Sequence, residues 1–305
     1  MSENIPQLFV SQFSTNLQLR LQQMESKLRG RVTEGNHKGS RMASPVQYLT
    51  AMQMKQPAGR FAPKNHQDPS FTRYWVMPQD KENDVLIDSF DELKTIIDPK
   101  SQYVSSVSSA CGRAWDDAII AAAFAPSTIG TDANSLTTES FDTSRFQIAA
   151  NFGSSSAVGL TVSKLIEARR VFRHNHVDLE SDPVTLIIGS QQEADLLNQV
   201  QIVSTEFNDR PVLVDGRVTR FLGFDIVVSE RLSYSSGVRN LIAFTKSGMY
   251  LGMWKDITNR ISIRNDLSGE PYDLYTSISF GATRLEQGRV LQIQVADATT
   301  GDITL

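Results

Sequence analysis

The 305-residue chain has one cysteine, Cys111, so no disulfide can form within it. Long apolar runs are missing too. The longest, residues 118–125, falls well short of the roughly 18 residues that a membrane span takes. The N-terminus shows no basic start followed by an apolar stretch, so no signal peptide is expected. Positive charge is not in excess: 30 Lys and Arg face 34 Asp and Glu, for a net charge of −4. A protein whose main task is gripping nucleic acid is usually basic, because phosphate contacts supply most of the affinity. There are only four histidines, and catalytic signatures are absent. We find no His-Glu-x-x-His, no phosphate-cradling Gly-x-x-x-x-Gly-Lys-Ser/Thr, no Gly-x-Gly-x-x-Gly after a strand and no Gly-x-Ser-x-Gly elbow. No catalytic residue, metal ligand or cofactor site is therefore expected.

The few reactive side chains have plain readings. Cys111 sits in an Ala-rich helical stretch, where a thiol acts as a small buried hydrophobe; a reactive thiol needs an electropositive, accessible setting, and Arg113 alone is thin support for one. His174-Asn175-His176 has no Cys nearby, which points to a structural or surface role over a metal site. Asp116 and Asp117 are adjacent on a helix, so they point in different directions and read as a solvated or ion-paired face.

What is present is an ordered series of elements. Leu8, Phe9, Phe13, Leu17, Leu21, Met24 and Leu28 form an amphipathic helical stripe. Residues 20–41 hold six Lys and Arg against two Glu, which is either a solvated face or an arm laid across a neighbour. Five prolines interrupt residues 41–79 (Pro45, Pro57, Pro63, Pro69 and Pro78), which excludes a long helix; Phe71-Thr72-Arg73-Tyr74-Trp75-Val76 reads as a strand. A projecting hairpin fits this stretch. Its aromatics Tyr48, Phe61, Phe71, Tyr74 and Trp75 would be exposed unless another chain covers them. Residues 80–98 are acidic, with seven Asp and Glu against two Lys.

The Ala-rich helix follows, with Val104, Val107, Cys111, Trp115, Ala118 and Ala122 on one face, and it stops at Pro126. Residues 127–157 are rich in Ser, Thr, Gly and Asn and read as irregular. A second helix runs from Thr161 to Phe172. A fully buried strand, Val184 to Gly189, precedes a third helix, with Ser190 and Glu193 as its capping box. Strands are then expected at 212–214, in Phe221-Leu222-Gly223-Phe224-Asp225-Ile226-Val227-Val228, at 241–244 and, more weakly, at 249–253. The chain closes on two strands, 274–280 and 291–295, read as partners joined through Glu286-Gln287-Gly288.

This series resembles the major capsid proteins of tailed bacteriophages, which have the Hong Kong 97-type fold of class α+β. The features that carry the resemblance are the helix with Gly112-Arg113-Ala114-Trp115-Asp116-Asp117, the Leu186-Ile187-Ile188-Gly189-Ser190 turn and the Phe-Leu-Gly-Phe segment, in that order and spacing. The resemblance implies an N-terminal arm (1–40), an E-loop hairpin (41–88), a peripheral domain (89–156 and 253–305) with a spine helix at 103–125, and an axial domain (157–252). It implies a structural protein that assembles with itself into pentamers and hexamers, through arm and E-loop contacts, around packaged double-stranded DNA that it meets by non-specific proximity. A separate scaffolding protein, a portal and possible decoration proteins are the other partners it implies, with no membrane. Some family members cross-link an E-loop lysine to an asparagine with the help of a buried glutamate. Lys55 and Lys64 are the available lysines, but Gly281-Ala282-Thr283 stands where the glutamate would align, so no cross-link is expected. The opposite charges of the arm and of residues 80–98 lead to the expectation that they meet between subunits, with charge reversal at Arg29 and Arg31 as its test. An encapsulin-type nanocompartment shell and a soluble enzyme with an unrecognised site are the competing readings.

Overall fold

The computed structural model describes residues 22–39, 41–56, 59–60, 66, 68–87, 100–199, 213–214, 217–268 and 270–297. The stripe residues Leu8 to Leu21, Phe61, Lys64, the acidic residues beyond 87 and Val212 lie outside them.

In chain order the elements are β1 (Thr33–Asn36), β2 (Ala43–Leu49), β3 (Phe71–Val76), β4 (Gln79–Ile87), α1 (Lys100–Phe124), β5 (Ser127–Gly130), β6 (Thr137–Glu139), α2 (Thr143–Phe146), β7 (Gln147–Ile148), α3 (Val162–His174), β8 (Val184–Ile188) and α4 (Ser190–Leu197). There follow β9 (Leu213–Val214), β10 (Arg217–Val218), β11 (Arg220–Phe221), β12 (Phe224–Val228), β13 (Tyr234–Ser235), β14 (Val238–Thr245), β15 (Met249–Ile263), β16 (Tyr272–Arg284) and β17 (Val290–Ala296). They make three main sheets. One has the order β1-β15-β16-β4, the second β2-β3-β5-β6 and the third β11-β12-β8-β14-β17-β7, with β13 on β14.

The long helix α1 lies on β15 and β16. Its buried face holds Val107, Cys111, Trp115, Ile119, Ala122 and Ala123, close to the expected stripe. Pro126 cannot continue the helix, and the buried guanidinium of Arg284 takes over its last carbonyls. Arg284 Nη1 donates to Ala123 O at 2.8 Å and to Ala125 O at 3.0 Å. A cation at a helix C-terminus also complements the helix dipole. In the third sheet every residue of β8 is buried, flanked by parallel β12 and antiparallel β14, as its near-continuous hydrophobicity requires.

Several sequence expectations are corrected. Residues 22–28 are not helical; the N–H groups of Lys27 and Leu28 are bound to the Asp116 side chain of α1. Phe-Leu-Gly-Phe is not one strand but the tight turn between β11 and β12. Leu222 and Gly223 both have positive φ, 50° and 88°, the signature of a type I′ hairpin turn. The helix at 190 is capped from Gly189, whose N–H donates to Gln192 Oε1 at 3.1 Å, rather than by Ser190 with Glu193. The carboxylate of Glu230 takes the Ser190 N–H instead.

The two closing strands are not partners. β16 pairs with β15 and β4, and β17 pairs with β14 and β7. Local alternation set both strands correctly but could not identify the neighbours. Residues 127–148, read as irregular, supply β5, β6, α2 and β7; Thr and Ile residues gain a ladder there because β3 offers an edge. That pairing also changes the aromatics. Tyr74 is buried, its hydroxyl donating to Glu139 Oε2 at 3.1 Å, and Trp75 donates to Gly130 O at 3.2 Å.

A second buried cation is Lys164 of α3. Its ammonium donates to Ala150 O, Val158 O and Gln294 O at 2.9, 2.8 and 3.0 Å, tying the loop before α3 to β17. Burial lowers its pKa from 10.5 to about 8, with Asp195 opposing. Lys164→Met strands three carbonyls and is expected to cost about 3 kcal/mol in urea unfolding near neutral pH. Between pH 8 and 10.5 the unfolded chain holds this proton and the folded one does not. Wild-type stability therefore rises with pH in that window, and the gap to Lys164→Met is expected to widen. A gap that narrows there would refute the assignment.

Candidate assembly interface

The point where the incoming chain meets α1 is built from one helical turn. Asp116 is fully buried and turned toward residues 22–28. Its carboxylate accepts from Gln23 Nε2 and Ser26 Oγ, both at 2.5 Å, from Lys27 N at 3.0 Å and from Leu28 N at 3.2 Å. Four donors satisfy a buried carboxylate that would otherwise be costly to desolvate. Gly112 lies one turn earlier, and a Cβ there would meet Ser26 N at 2.9 Å. Its missing side chain is what lets the backbone pass. Arg113 Nη1 holds Gln22 Oε1 and Gln23 O, each at 2.9 Å. Leu28 and Val32 then enter the main core, and β1 joins β15 in parallel.

Asp117 points the other way and binds Arg231 with two hydrogen bonds, at 2.5 and 2.6 Å. The adjacent carboxylates thus hold different partners. The basic residues of this segment are used inside the subunit. Arg29 stacks over Trp115 at 4.4 Å and lies 3.3 Å from Glu34, Arg31 lies 3.5 Å from Asp225, and Lys27 Nζ donates to Val228 O at 2.8 Å. Arg29 and Arg31 thus have partners within the subunit and stay partly exposed.

Two surfaces leave apolar side chains uncovered. On the β2–β3 hairpin, Leu49 and Phe71 face each other across the ladder and are both about half exposed, with Met52 and Met54 exposed beyond them. The outer halves of β15 and β16, together with β4, form a three-stranded blade, on which Leu86, Ile261, Ile263 and Leu267 are exposed. Its outer strand β4 carries exposed Asp80, Glu82 and Asp84, and charge on an open edge discourages indiscriminate strand pairing.

Reactive groups are scattered. His174 ends α3 and His176 follows it, both exposed, and no group of three or more metal-ligating side chains occurs among the described residues. Cys111 is buried, and burial raises its thiol pKa. Lys55 is exposed. Sequence reasoning missed three buried cations: Arg284, Lys164 and Arg239. Arg239 is bound to Asp297 at 2.5 Å and Glu230 at 2.7 Å. A signal existed for the first two. Arg284 falls on the same alternation as Leu274, Ile278 and Phe280, and Lys164 on the helical phase of Ala168 and Phe172, so both were due to be buried.

A sequence profile of the family described as "Phage capsid protein" matches residues 5–297. No curated protein sequence matches the chain. Among solved structures, the chain is similar to the capsid of cyanophage P-SCSP1u, with 16% identity, TM-score 0.73, and 95% of this chain and 94% of that one covered. It is also similar to the capsid of cyanophage Pam1, with 11% identity, TM-score 0.72, and 98% and 100% covered. The capsid of Ralstonia phage GP4 aligns with 9% identity and TM-score 0.67 over 99% of each chain. At these identities the likeness establishes the fold.

The clasp makes a direct prediction. Asp116→Ala leaves the Lys27 and Leu28 N–H groups without their acceptor, and we expect trypsin to cut at Lys27 and Arg29 much faster while circular dichroism stays native. Asp117→Ala removes a half-exposed pair, expected to cost under about 1 kcal/mol and to leave that cleavage unchanged. Equal protection in both variants would show that Asp116 does not hold the segment.

Proposed function

The chain belongs to the phage capsid protein family and is a major capsid protein of the virion, and we propose how its parts do that work. Copies associate into pentamers and hexamers that tile the icosahedral head of a tailed phage around double-stranded DNA. The work is structural rather than catalytic. Residues 1–40 serve as the arm, fixed to α1 at the Asp116 clasp. Residues 41–88 serve as the E-loop, whose last strand, β4, is laid along β16. Residues 89–156 and 253–305 form the peripheral domain, from which β17 returns to the sheet of β8 and β14. Residues 157–252 form the axial domain. A separate scaffolding protein and a portal are the further partners in this reading.

The observation that carries the reading is the hairpin. Its base is locked by Tyr74, Trp75 and β5, yet its outer end exposes Leu49, Met52, Met54 and Phe71. An apolar end on a firm base is suited to a neighbour's surface. Contacts in which one copy's projection meets a different face of the next are heterologous, and they close into rings. Many such contacts reinforce one another through effective concentration.

Electron microscopy of the purified chain is expected to show closed shells or capsomers, and a protein that stays monomeric under all assembly conditions would refute the reading. We also propose that mature particles carry no isopeptide cross-link, since Gly281, Ala282 and Thr283 bring no carboxylate and Gly281 lies against the Met77 carbonyl. A denaturing gel of particles should give one band at the monomer mass; a ladder would contradict this.

A further inference from the structure

The exposed apolar end of the hairpin is rich in one unusual side chain. Of the chain's eight methionines, Met249 and Met253 are buried in the core. Met52 and Met54, by contrast, are 58% and 101% exposed, just beyond the Leu49–Phe71 pair that ends the β2–β3 ladder. Among the described residues, neither belongs to an apolar cluster of the subunit. Methionine is unbranched and polarizable, so it moulds itself to irregular partners, and surfaces that must accept more than one partner geometry use it. A shell subunit meets such variety when the same hairpin packs in rings of five and of six. The same openness makes these sulfurs accessible to oxidation, as it does those of Met24 and Met77 at 56% and 45% exposure, while Met249 and Met253 are screened.

Resting on the assembly reading above, we propose that Met52 and Met54 form an oxidation-sensitive contact with a second copy of this chain. A peroxide transfers one oxygen atom to the thioether sulfur; its O–O bond breaks, the sulfur is oxidised to a sulfoxide and the peroxide is reduced to water or an alcohol. The sulfoxide is polar and bears a strong acceptor. Buried against an apolar neighbour it lacks a donor, so subunits carrying it are left out of the shell.

The test uses the full chain, partially oxidised with hydrogen peroxide, then allowed to assemble. Particles and unassembled protein are separated by sedimentation and peptide-mapped by mass spectrometry. Sulfoxide at Met52 and Met54 is expected to be several-fold enriched in the unassembled pool, with Met249 unmodified in both. Equal sulfoxide fractions in the two pools would overturn the proposal. A Met52→Leu/Met54→Leu variant that assembles after the same treatment supports it, and one that loses assembly as the wild type does overturns it. If that variant fails to assemble before treatment, the wild-type partition alone decides. Wild-type protein that forms no particles before peroxide refutes the assembly reading itself, and the proposal with it.

Discussion

One buried carboxylate sets the geometry on which the projecting parts depend. Asp116 is fully buried and accepts four hydrogen bonds from residues 23–28, so the helix and the entering chain satisfy each other. Neither partner stands well alone. Without its donors the carboxylate would be a charge in the core, and without the carboxylate two backbone N–H groups would be stranded beside it. The absence of a side chain at Gly112 clears the path, and Leu28 and Val32 add apolar burial just beyond. Everything that leaves the body toward residue 40 and the hairpin starts from this fixed point.

Buried cations do a related task where the chain changes sheets. Arg284 stands at the end of β16, just before the chain crosses to β17, and binds the C-terminal carbonyls of α1. Lys164 ties the loop before α3 to β17 through three carbonyls. Arg239 joins β14 to Asp297 at the far end of β17 and to Glu230. Each occupies a place where backbone acceptors or carboxylates converge away from water, and each therefore discriminates against any other path of the chain. The body that results is well determined, which makes its exposed apolar hairpin end stand out as a surface meant to be covered.

The sequence showed the elements more clearly than their partners. The helices at 103–125 and 161–172, the buried strand before residue 190 and the strand at Phe71-Thr72-Arg73-Tyr74-Trp75-Val76 follow from period and composition, and the structure has them. Strand neighbours were not legible, because alternation fixes which face of a strand is buried and says nothing about which strand lies beside it. Hence β16 and β17 were paired with each other, and β5 and β6, whose ladder depends on β3, were read as irregular. Turn chemistry was visible in Leu222-Gly223 but outweighed by the surrounding hydrophobicity. The clasp was half legible. The two aspartates were seen to point apart, yet a carboxylate waiting for backbone N–H groups some ninety residues away leaves no local trace.

The parallel pairing of β1 with β15 has a consequence for the order of events during synthesis. Thr33 and His37 bond to Lys246 and Tyr250, 213 residues later in the chain. A ribosome must therefore release most of the polypeptide before the first strand finds its seat, whereas Asp116 follows the Lys27 N–H it accepts by 89 residues. The sheet β2-β3-β5-β6 closes within residues 43–139, whereas the seat of the first strand needs residues 250–253, so the two ends of the incoming segment belong to contacts of very different reach along the chain.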